Sequence, residues 1–210
     1  MEKTSHDVNF KNLILDYLRD ALEFFAHEEV GRLPRKVKFT PLREEQLKEF
    51  LGERGLKLDV AVKVEFPNGE REMIVFCIEH NTREFAHILK RHAMYCIKMS
   101  MNYKTDRIVP VAIFPEHAGA VKEHFKLAGD HGVYLDFRCI AVKLKELAAR
   151  DYMHSKNVVA RVCLPFMKHA AKDKFAVVDK SLEGLFDLEH DVNKRAKYLP
   201  FVIHYRMSRM

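Results

Sequence analysis

The sequence contains little cysteine, glycine or proline. Four cysteines, eight glycines and seven prolines are spread over 210 residues, without a low-complexity tract. No Cys-x-x-C pair occurs, which argues against a zinc ribbon. Cys77, Cys96 and Cys163 have apolar neighbours, a pattern that predicts buried free thiols in a reducing compartment. A chain of this length can bury a sizeable core without disulfides.

Long apolar runs and several common functional motifs are also missing. No run approaches 18 apolar residues, so no membrane-spanning helix is predicted. The N-terminal M-E-K-T-S-H-D lacks the apolar stretch of a signal peptide, so a cytoplasmic location is expected. The absence of G-x-G-x-x-G, G-K-[ST], H-E-x-x-H and G-x-S-x-G argues against nucleotide binding, zinc proteolysis and serine hydrolysis.

The overall composition is typical of a soluble globular protein. Hydrophobic residues make up 48% of the chain and charged residues 31%. Lysine and arginine number 36 against 30 aspartates and glutamates, for a formal charge of +6. This excess permits a polyanionic partner without establishing one.

Hydrophobic periodicity predicts an α/β core at 1–150 and a C-terminal helical segment at 151–210 packed on that core. The predicted helices are 7–27, 82–103 and 116–128, with helical structure after Lys143 and a short charged helix near 43–51. Apolar residues at spacings of three and four give the first helix one apolar face. Its members are Phe10, Leu13, Ile14, Tyr17, Leu18, Leu22 and Phe25. The second helix has a predicted inner side, formed by Phe85, Ile88, Leu89, Ala93, Met94, Cys96 and Ile97. The predicted strands are 56–66, 71–79, 107–114 and 132–142, with an extended segment at 37–39. Pro110 is expected at a strand end or a sheet edge, because proline cannot donate a ladder hydrogen bond.

Two carboxylates meet at one end of the predicted hairpin formed by the strands 56–66 and 71–79. Pro-Asn-Gly at 67–69 predicts a three-residue loop, with Gly69 in the left-handed conformation. Asp59 then lies opposite Cys77, and Asp59, Glu79 and Asn81 project from one face. Asp59 and Glu79 become diagonal neighbours, roughly 7–8 Å apart at the backbone, so they can share an ion. A two-residue loop would place them on opposite faces.

These side chains form a hard oxygen set. Two carboxylates and an amide carbonyl suit Mg²⁺ or Mn²⁺ better than zinc. Asp59 and Glu79 are therefore the candidate metal ligands. The alternative is structural, because either carboxylate could instead form an ion pair with Lys57, Lys63 or a nearby arginine.

The predicted helix after the hairpin is basic. Between residues 83 and 107 the chain has six basic and two acidic side chains. Lys90, Arg91 and Lys98 are the candidate nucleic-acid contacts, because a basic helix beside an acidic cluster could lie along a phosphate backbone. The alternative is an ordinary solvated helix face.

Several motifs, taken in order, resemble a known nuclease family. L-D-V-A-V-K-V followed by I-V-F-C-I-E-H-N resembles the signature of the PD-(D/E)xK nuclease superfamily. Further segments make the chain similar to the recombination-promoting nuclease and transposase-like family, over most of its length. They are H-D-x-x-F-K at 6–11, R-H-A-M-Y at 91–95, the strand I-V-P-V-A-I-F, A-R-V-C-L-P-F-M-K-H at 160–169 and K-Y-L-P-F-V-I-H-Y at 197–205.

The resemblance implies a nuclease-like mixed sheet flanked by helices and a Mg²⁺-dependent DNA endonuclease linked to recombination or transposition. Asp59, Glu79 and Asn81 would be its catalytic residues, with DNA as partner and no other small-molecule cofactor. It also implies an acidic residue from the first helix, for which Asp16, Asp20 and Glu23 are candidates. A homo-oligomer remains open.

The sequence departs from this family at Asn81, where the family usually has glutamine and the superfamily often has lysine. Asparagine has a shorter reach than glutamine and cannot supply the positive charge of lysine. The alternative function is therefore a non-catalytic nucleic-acid-binding or assembly protein on a decayed nuclease scaffold.

Overall fold

The structure, a computed structural model, describes residues 3–31, 34–43, 60–69, 71–78, 85–116, 119, 121 and 123–207. The helices are α1 Lys3–Asp16, α2 Leu18–Phe25, α3 His27–Val30, α4 Phe85–Tyr103, α5 Val158–Val162, α6 Lys174–Leu188 and α7 Val192–Met207. The strands are β1 Lys38–Pro41, β2 Val60–Glu65, β3 Arg71–Ile78, β4 Ile108–Phe114, β5 His124–Gly129, β6 Gly132–Arg138 and β7 Ile140–Lys143.

The chain forms two compact units. The helical unit consists of Met1–Phe25, Phe114–Ala118 and Lys143–Met210. The sheet unit consists of Ala26–Ile113 and Gly119–Val142. The predicted helical segment 151–210 thus lies in the same unit as α1 and α2. None of the helices that the structure describes is long and apolar enough to cross a membrane.

A five-stranded mixed sheet lies at the centre of the sheet unit, in the order β1-β2-β3-β4-β7. β1 and β3 are both antiparallel to β2, whereas β3 and β4 are parallel. Parallel neighbours need a long crossover connection, and the 19-residue helix α4 lies within this one. The prediction of a mixed α/β class is confirmed, and β1 matches the extended segment expected near 37–39.

Helix α4 buries most of its predicted inner side, including Ile88, Leu89, Ala93 and Cys96, but not all of it. Tyr95 and Met99 are fully buried and pack in one cluster with Ala61 of β2. Met94 and Ile97, which were predicted to face inward, are 37% and 50% exposed, so that prediction is wrong. The reason is the helical phase. At 100° per residue, Met94 and Ile97 lie on the side opposite Tyr95 and Met99.

The segment 116–128 contains a strand instead of the predicted helix. β5 pairs with β6 in an antiparallel, two-stranded sheet in which His124 lies opposite Arg138. The rings of Phe125 and Phe137 lie opposite each other, 5.7 Å apart. This pairing satisfies backbone groups that a helix would have satisfied internally, and it depends on a partner strand that lies outside 116–128.

Two other strand predictions need correction. The predicted strand 132–142 is in fact two strands, β6 and β7, which belong to different sheets. Pro110 lies inside β4, between β3 and β7, and not at a strand end or sheet edge. A cavity of about 350 Å³ beside Pro110 is also lined by Cys139, which joins β6 to β7.

Aromatic side chains hold the helical unit together. Phe10 of α1 contacts Phe166 and Phe201 edge-on, with ring centroids 5.2 Å apart in both pairs. Phe166 and Phe201 stack at 5.0 Å. Leu13 and Leu22, on the predicted apolar face of the first helical segment, are also fully buried, which confirms that face.

Gly184 of α6 leaves space for the side chain of Arg161, which is only 7% exposed. A Cβ atom at position 184 would lie 2.6 Å from Cζ and 2.7 Å from Cβ of Arg161. The Arg161 guanidinium donates to the carbonyl oxygen of Lys180, which limits its freedom to move.

We expect Gly184→Ala to lower the free energy of unfolding by about 1–3 kcal/mol in a urea titration, because overpacking outweighs the better helix propensity of alanine. A rise in stability would contradict this.

Candidate functional site

The hairpin that was predicted to carry the carboxylates has the predicted register. Val60 lies opposite Phe76 and Glu65 opposite Arg71. Gly69 has φ = 85°, and its N–H donates to the carbonyl oxygen of Phe66 at 3.0 Å. The left-handed glycine and this register are the features of the predicted Pro-Asn-Gly turn. The prediction is confirmed for every pair that the structure describes.

The predicted metal ligands themselves lie outside the described residues. Asp59 precedes Val60, the first residue of β2, and Glu79 and Asn81 follow the end of β3. In the described part of the chain, no group of three histidine, cysteine, aspartate or glutamate side chains could hold a metal ion. The magnesium site therefore stays a prediction that rests on the hairpin register and on the chemistry of the donor set.

Lys63, a structural partner considered for the carboxylates, contacts Glu65. Its Nζ lies 2.9 Å from Glu65 Oε1 on the same strand, and both side chains are about one-quarter exposed. An ammonium held by a neighbouring carboxylate is less available to a second one. The contact thus weakens the case for Lys63 as the partner of Asp59 or Glu79.

The three candidate acids of the first helical segment all have contacts within the helical unit. Asp16 Oδ2 accepts hydrogen bonds from Lys197 Nζ at 2.7 Å and Tyr198 Oη at 2.6 Å. Asp20 Oδ2 accepts from the backbone N–H of Val158 at 3.0 Å and so satisfies a free donor at the start of α5. These contacts give Asp16 and Asp20 structural roles.

Glu23 has the weakest described contact of the three acids. Its Oε1 lies 3.4 Å from Arg19 Nη1, one helical turn away, and both side chains are about one-third exposed. An exposed pair at this spacing contributes little to stability. Of the three, Glu23 is the carboxylate that the fold needs least.

Opposite pKa shifts distinguish Asp16 from Asp20. Burial alone would raise the pKa of Asp16, but hydrogen bonds from Lys197 and Tyr198 and the nearby positive charges outweigh it and lower the pKa. Burial raises the pKa of Asp20, and the Val158 N–H only partly offsets this. The ionised Asp16 therefore stabilises the fold above its unfolded pKa of about 3.9, and this contribution is lost as the pH falls through the folded pKa. The contribution of ionised Asp20 to stability has the opposite sign, because its ionisation in the folded state costs stability.

We expect Asp16→Asn to lower the free energy of unfolding at pH 7 by about 1–2 kcal/mol, because partly solvated charge-assisted hydrogen bonds are lost. The matched change Asp20→Asn should leave stability unchanged or raised, since the amide oxygen can still accept from Val158 and the buried charge is gone. Urea titrations at pH 7 and pH 3 measure both variants. The Asp16→Asn deficit should shrink at pH 3, and equal losses for both variants at pH 7 would contradict the assignment.

The three predicted nucleic-acid contacts differ in exposure along α4. Lys90 is exposed, whereas Arg91 and Lys98 are half-buried and have partners within the protein. The outer ridge of the helix is apolar beyond Lys90, where Met94, Ile97 and Met101 are 37%, 50% and 74% exposed. An apolar ridge does not bind phosphates. Of the three predicted contacts on α4, Lys90 is therefore the one best placed to bind a phosphate.

Two groove residues near Lys90 were missed by the sequence reasoning. His124 and Lys126 of β5 line a groove in the sheet unit together with Lys90. Because 116–128 was predicted to be a helix, no argument connected these residues with α4. The alternation of polar and apolar residues in H-F-K-L is the sequence signal of the strand.

Comparison with known proteins found no matching family model, no similar curated protein and no similar solved structure.

Proposed function

We propose that this protein is a metal-dependent DNA endonuclease that hydrolyses phosphodiester bonds, with a link to recombination or transposition. Asp59 and Glu79 would bind Mg²⁺ or Mn²⁺, because two carboxylates beside an amide carbonyl form a hard oxygen set. The finer fold assignment, a PD-(D/E)xK nuclease-like sheet, belongs to this proposal.

The observation that carries the proposal is the register of the β2–β3 hairpin. Val60 opposite Phe76 belongs to the register that, continued by one residue, sets Asp59 opposite Cys77. In that register Asp59, Glu79 and Asn81 project from the same face at one end of the ribbon. A two-residue turn would have separated them, and the left-handed Gly69 supports the three-residue turn.

Each proposed residue has a defined task. Asp59 and Glu79 would hold the ion, which would polarise the scissile phosphate and lower the pKa of a bound water. Asn81 orients the attacking water through its carbonyl or amide group. Lys90, exposed near the start of α4, binds a phosphate of the substrate strand.

The second candidate is a non-catalytic nucleic-acid-binding or assembly protein on the same scaffold. Asn81 favours it, because an asparagine has neither the reach of glutamine nor the charge of lysine. The two functions differ in their need for metal. An intact ion site should raise the melting temperature when Mn²⁺ is added, since a ligand that binds only the folded state stabilises it.

The deciding experiment is a Mg²⁺-dependent nicking assay on supercoiled plasmid. Wild-type protein should nick the plasmid with Mg²⁺ or Mn²⁺ and be inactive in EDTA. Asp59→Ala is the control for a contaminating nuclease. Plasmid binding without nicking, and without a Mn²⁺ effect on the melting temperature, would favour the second candidate.

A further inference from the structure

We propose that the groove between helix α4 and strand β5 binds a single nucleic-acid strand, with cations at its rim for the phosphates and Phe125 for a base. The inference rests on the nucleic-acid ligand of the proposed function, but it does not require catalysis. The groove has a volume of about 650 Å³, within the range of small-ligand clefts and therefore large enough for part of a strand.

Lysine and histidine side chains from both elements line the groove. Lys90 comes from α4, and His124 and Lys126 come from β5. All three are exposed, so each can reach a phosphate without being extracted from a packed environment. Phosphate contacts by such groups are the main source of affinity for nucleic acids.

Two acidic side chains, Asp136 and Glu123, reduce the positive charge of the groove. Lys126 Nζ lies 3.2 Å from Asp136 Oδ2, with side chains 46% and 36% exposed. Solvent-exposed pairs of this kind are weak, so a phosphate can compete for the ammonium. Glu123 also lines the groove, and its carboxylate repels phosphates. Removing the charge of Lys126 should therefore weaken nucleic-acid binding, whereas removing the charge of Glu123 should tighten it.

Phe125 distinguishes this groove from a purely electrostatic patch. It lies between His124 and Lys126 in the sequence, lines the same groove and is half-buried. Its ring is supported by Phe137, 5.7 Å away. A cationic groove with an aromatic side chain is the pattern by which proteins bind single strands, because every unpaired base has a face that can stack. Bases in a duplex are stacked on one another and do not offer that face.

The test is fluorescence anisotropy in EDTA with wild-type protein, a labelled 20-nucleotide single strand and the matching duplex. The double variant Lys90→Ala/Lys126→Ala should bind the single strand about tenfold more weakly at 100 mM salt. It should also lower the slope of log affinity against log salt by about 1.4, or about 0.7 for each lost phosphate contact. Glu123→Gln should tighten binding. Lys156→Ala/Lys172→Ala, an equal loss of two charges at exposed sites in the helical unit, is the matched control and should change neither value.

Phe125→Leu tests the stacking. It should weaken binding of the single strand about fivefold or more and leave the salt slope unchanged. Melting temperatures confirm that the variants are folded, and the surface changes at Lys90 and Lys126 keep the test decisive if Phe125→Leu is unstable. The inference is overturned if Lys90→Ala/Lys126→Ala behaves as Lys156→Ala/Lys172→Ala does, or if the duplex binds as tightly as the single strand and Phe125→Leu has no effect.

The outcome for the groove is separable from the outcome for catalysis. If wild-type protein nicks DNA but the groove variants bind as wild type does, the groove assignment fails and the proposed endonuclease stands. If the groove variants lose binding but wild type never cleaves, the groove stands and the non-catalytic function is favoured. If wild type neither binds nor cleaves DNA, both proposals fail.

Discussion

Replacing either Asp59 or Glu79 by alanine is expected to abolish Mg²⁺-dependent nicking, with a loss of about 10³-fold or more. Metal-assisted stabilisation of the transition state contributes several kcal/mol, and each ~1.4 kcal/mol is a factor of ten in rate. Each variant should remain folded and be unchanged or slightly more stable without metal, because removing one of two like charges relieves repulsion. Nicking rates and urea titrations in EDTA measure the two effects.

Glu65→Ala is the matched control for these two variants. Glu65 lies on β2, and its carboxylate contacts Lys63 at 2.9 Å. Its removal should leave the nicking rate unchanged and lower stability by about 1 kcal/mol or less. If Asp59→Ala or Glu79→Ala instead loses several kcal/mol of stability, that carboxylate belongs to a structural ion pair, and the site assignment is wrong.

Substituting Asn81 by glutamine or lysine is expected to raise the nicking rate. Asn81 follows Glu79 by two residues, so in a continued strand the two side chains share a face. Glutamine extends the reach toward the attacking water by one methylene. Lysine adds a positive charge where negative charge develops in the transition state. One well-placed electrostatic group contributes about 10²–10³ in rate, and single-turnover nicking assays would resolve even a tenfold gain.

Asn102→Lys separates a local effect at Asn81 from a general increase in positive charge. Asn102 is exposed on α4, and lysine there should affect binding weakly without changing the rate of the bound complex. The expectation for Asn81 fails if wild-type protein is already as active as enzymes with glutamine or lysine and both substitutions are neutral or harmful. Asparagine would then be a competent catalytic residue.

The hairpin register was predictable because its causes are local. Pro67, Asn68 and Gly69 favour one turn type through their own backbone preferences. The turn then sets every pair along the ribbon, from Glu65 opposite Arg71 to Val60 opposite Phe76. The proposed metal site extends this register by one residue, from Val60 to Asp59, so its prediction depends on the few residues around the turn.

The failed predictions share a cause that is not local. The stretch 116–128 has a plausible helical pattern, yet β5 forms because β6 supplies a paired strand and Phe137 a ring against Phe125. Helix α4 was placed correctly, but Met94 and Ile97 are exposed. Apolar character is present on more than one side of α4, and only packing against β2 selects which side is buried.

The sequence by itself determined the mixed α/β class, the turn at Gly69 and the buried face of the first helical segment, since each depends on residues close together in the chain. Only the tertiary structure decided which charged groups stabilise the fold and which are exposed to a ligand. Asp16 meets Tyr198 and Asp20 meets Val158 across more than 130 residues, and Lys90 shares a groove with Lys126 through the placement of α4 and β5. Such contacts depend on how whole elements pack, and packing is set by the summed burial of many side chains that no local pattern records.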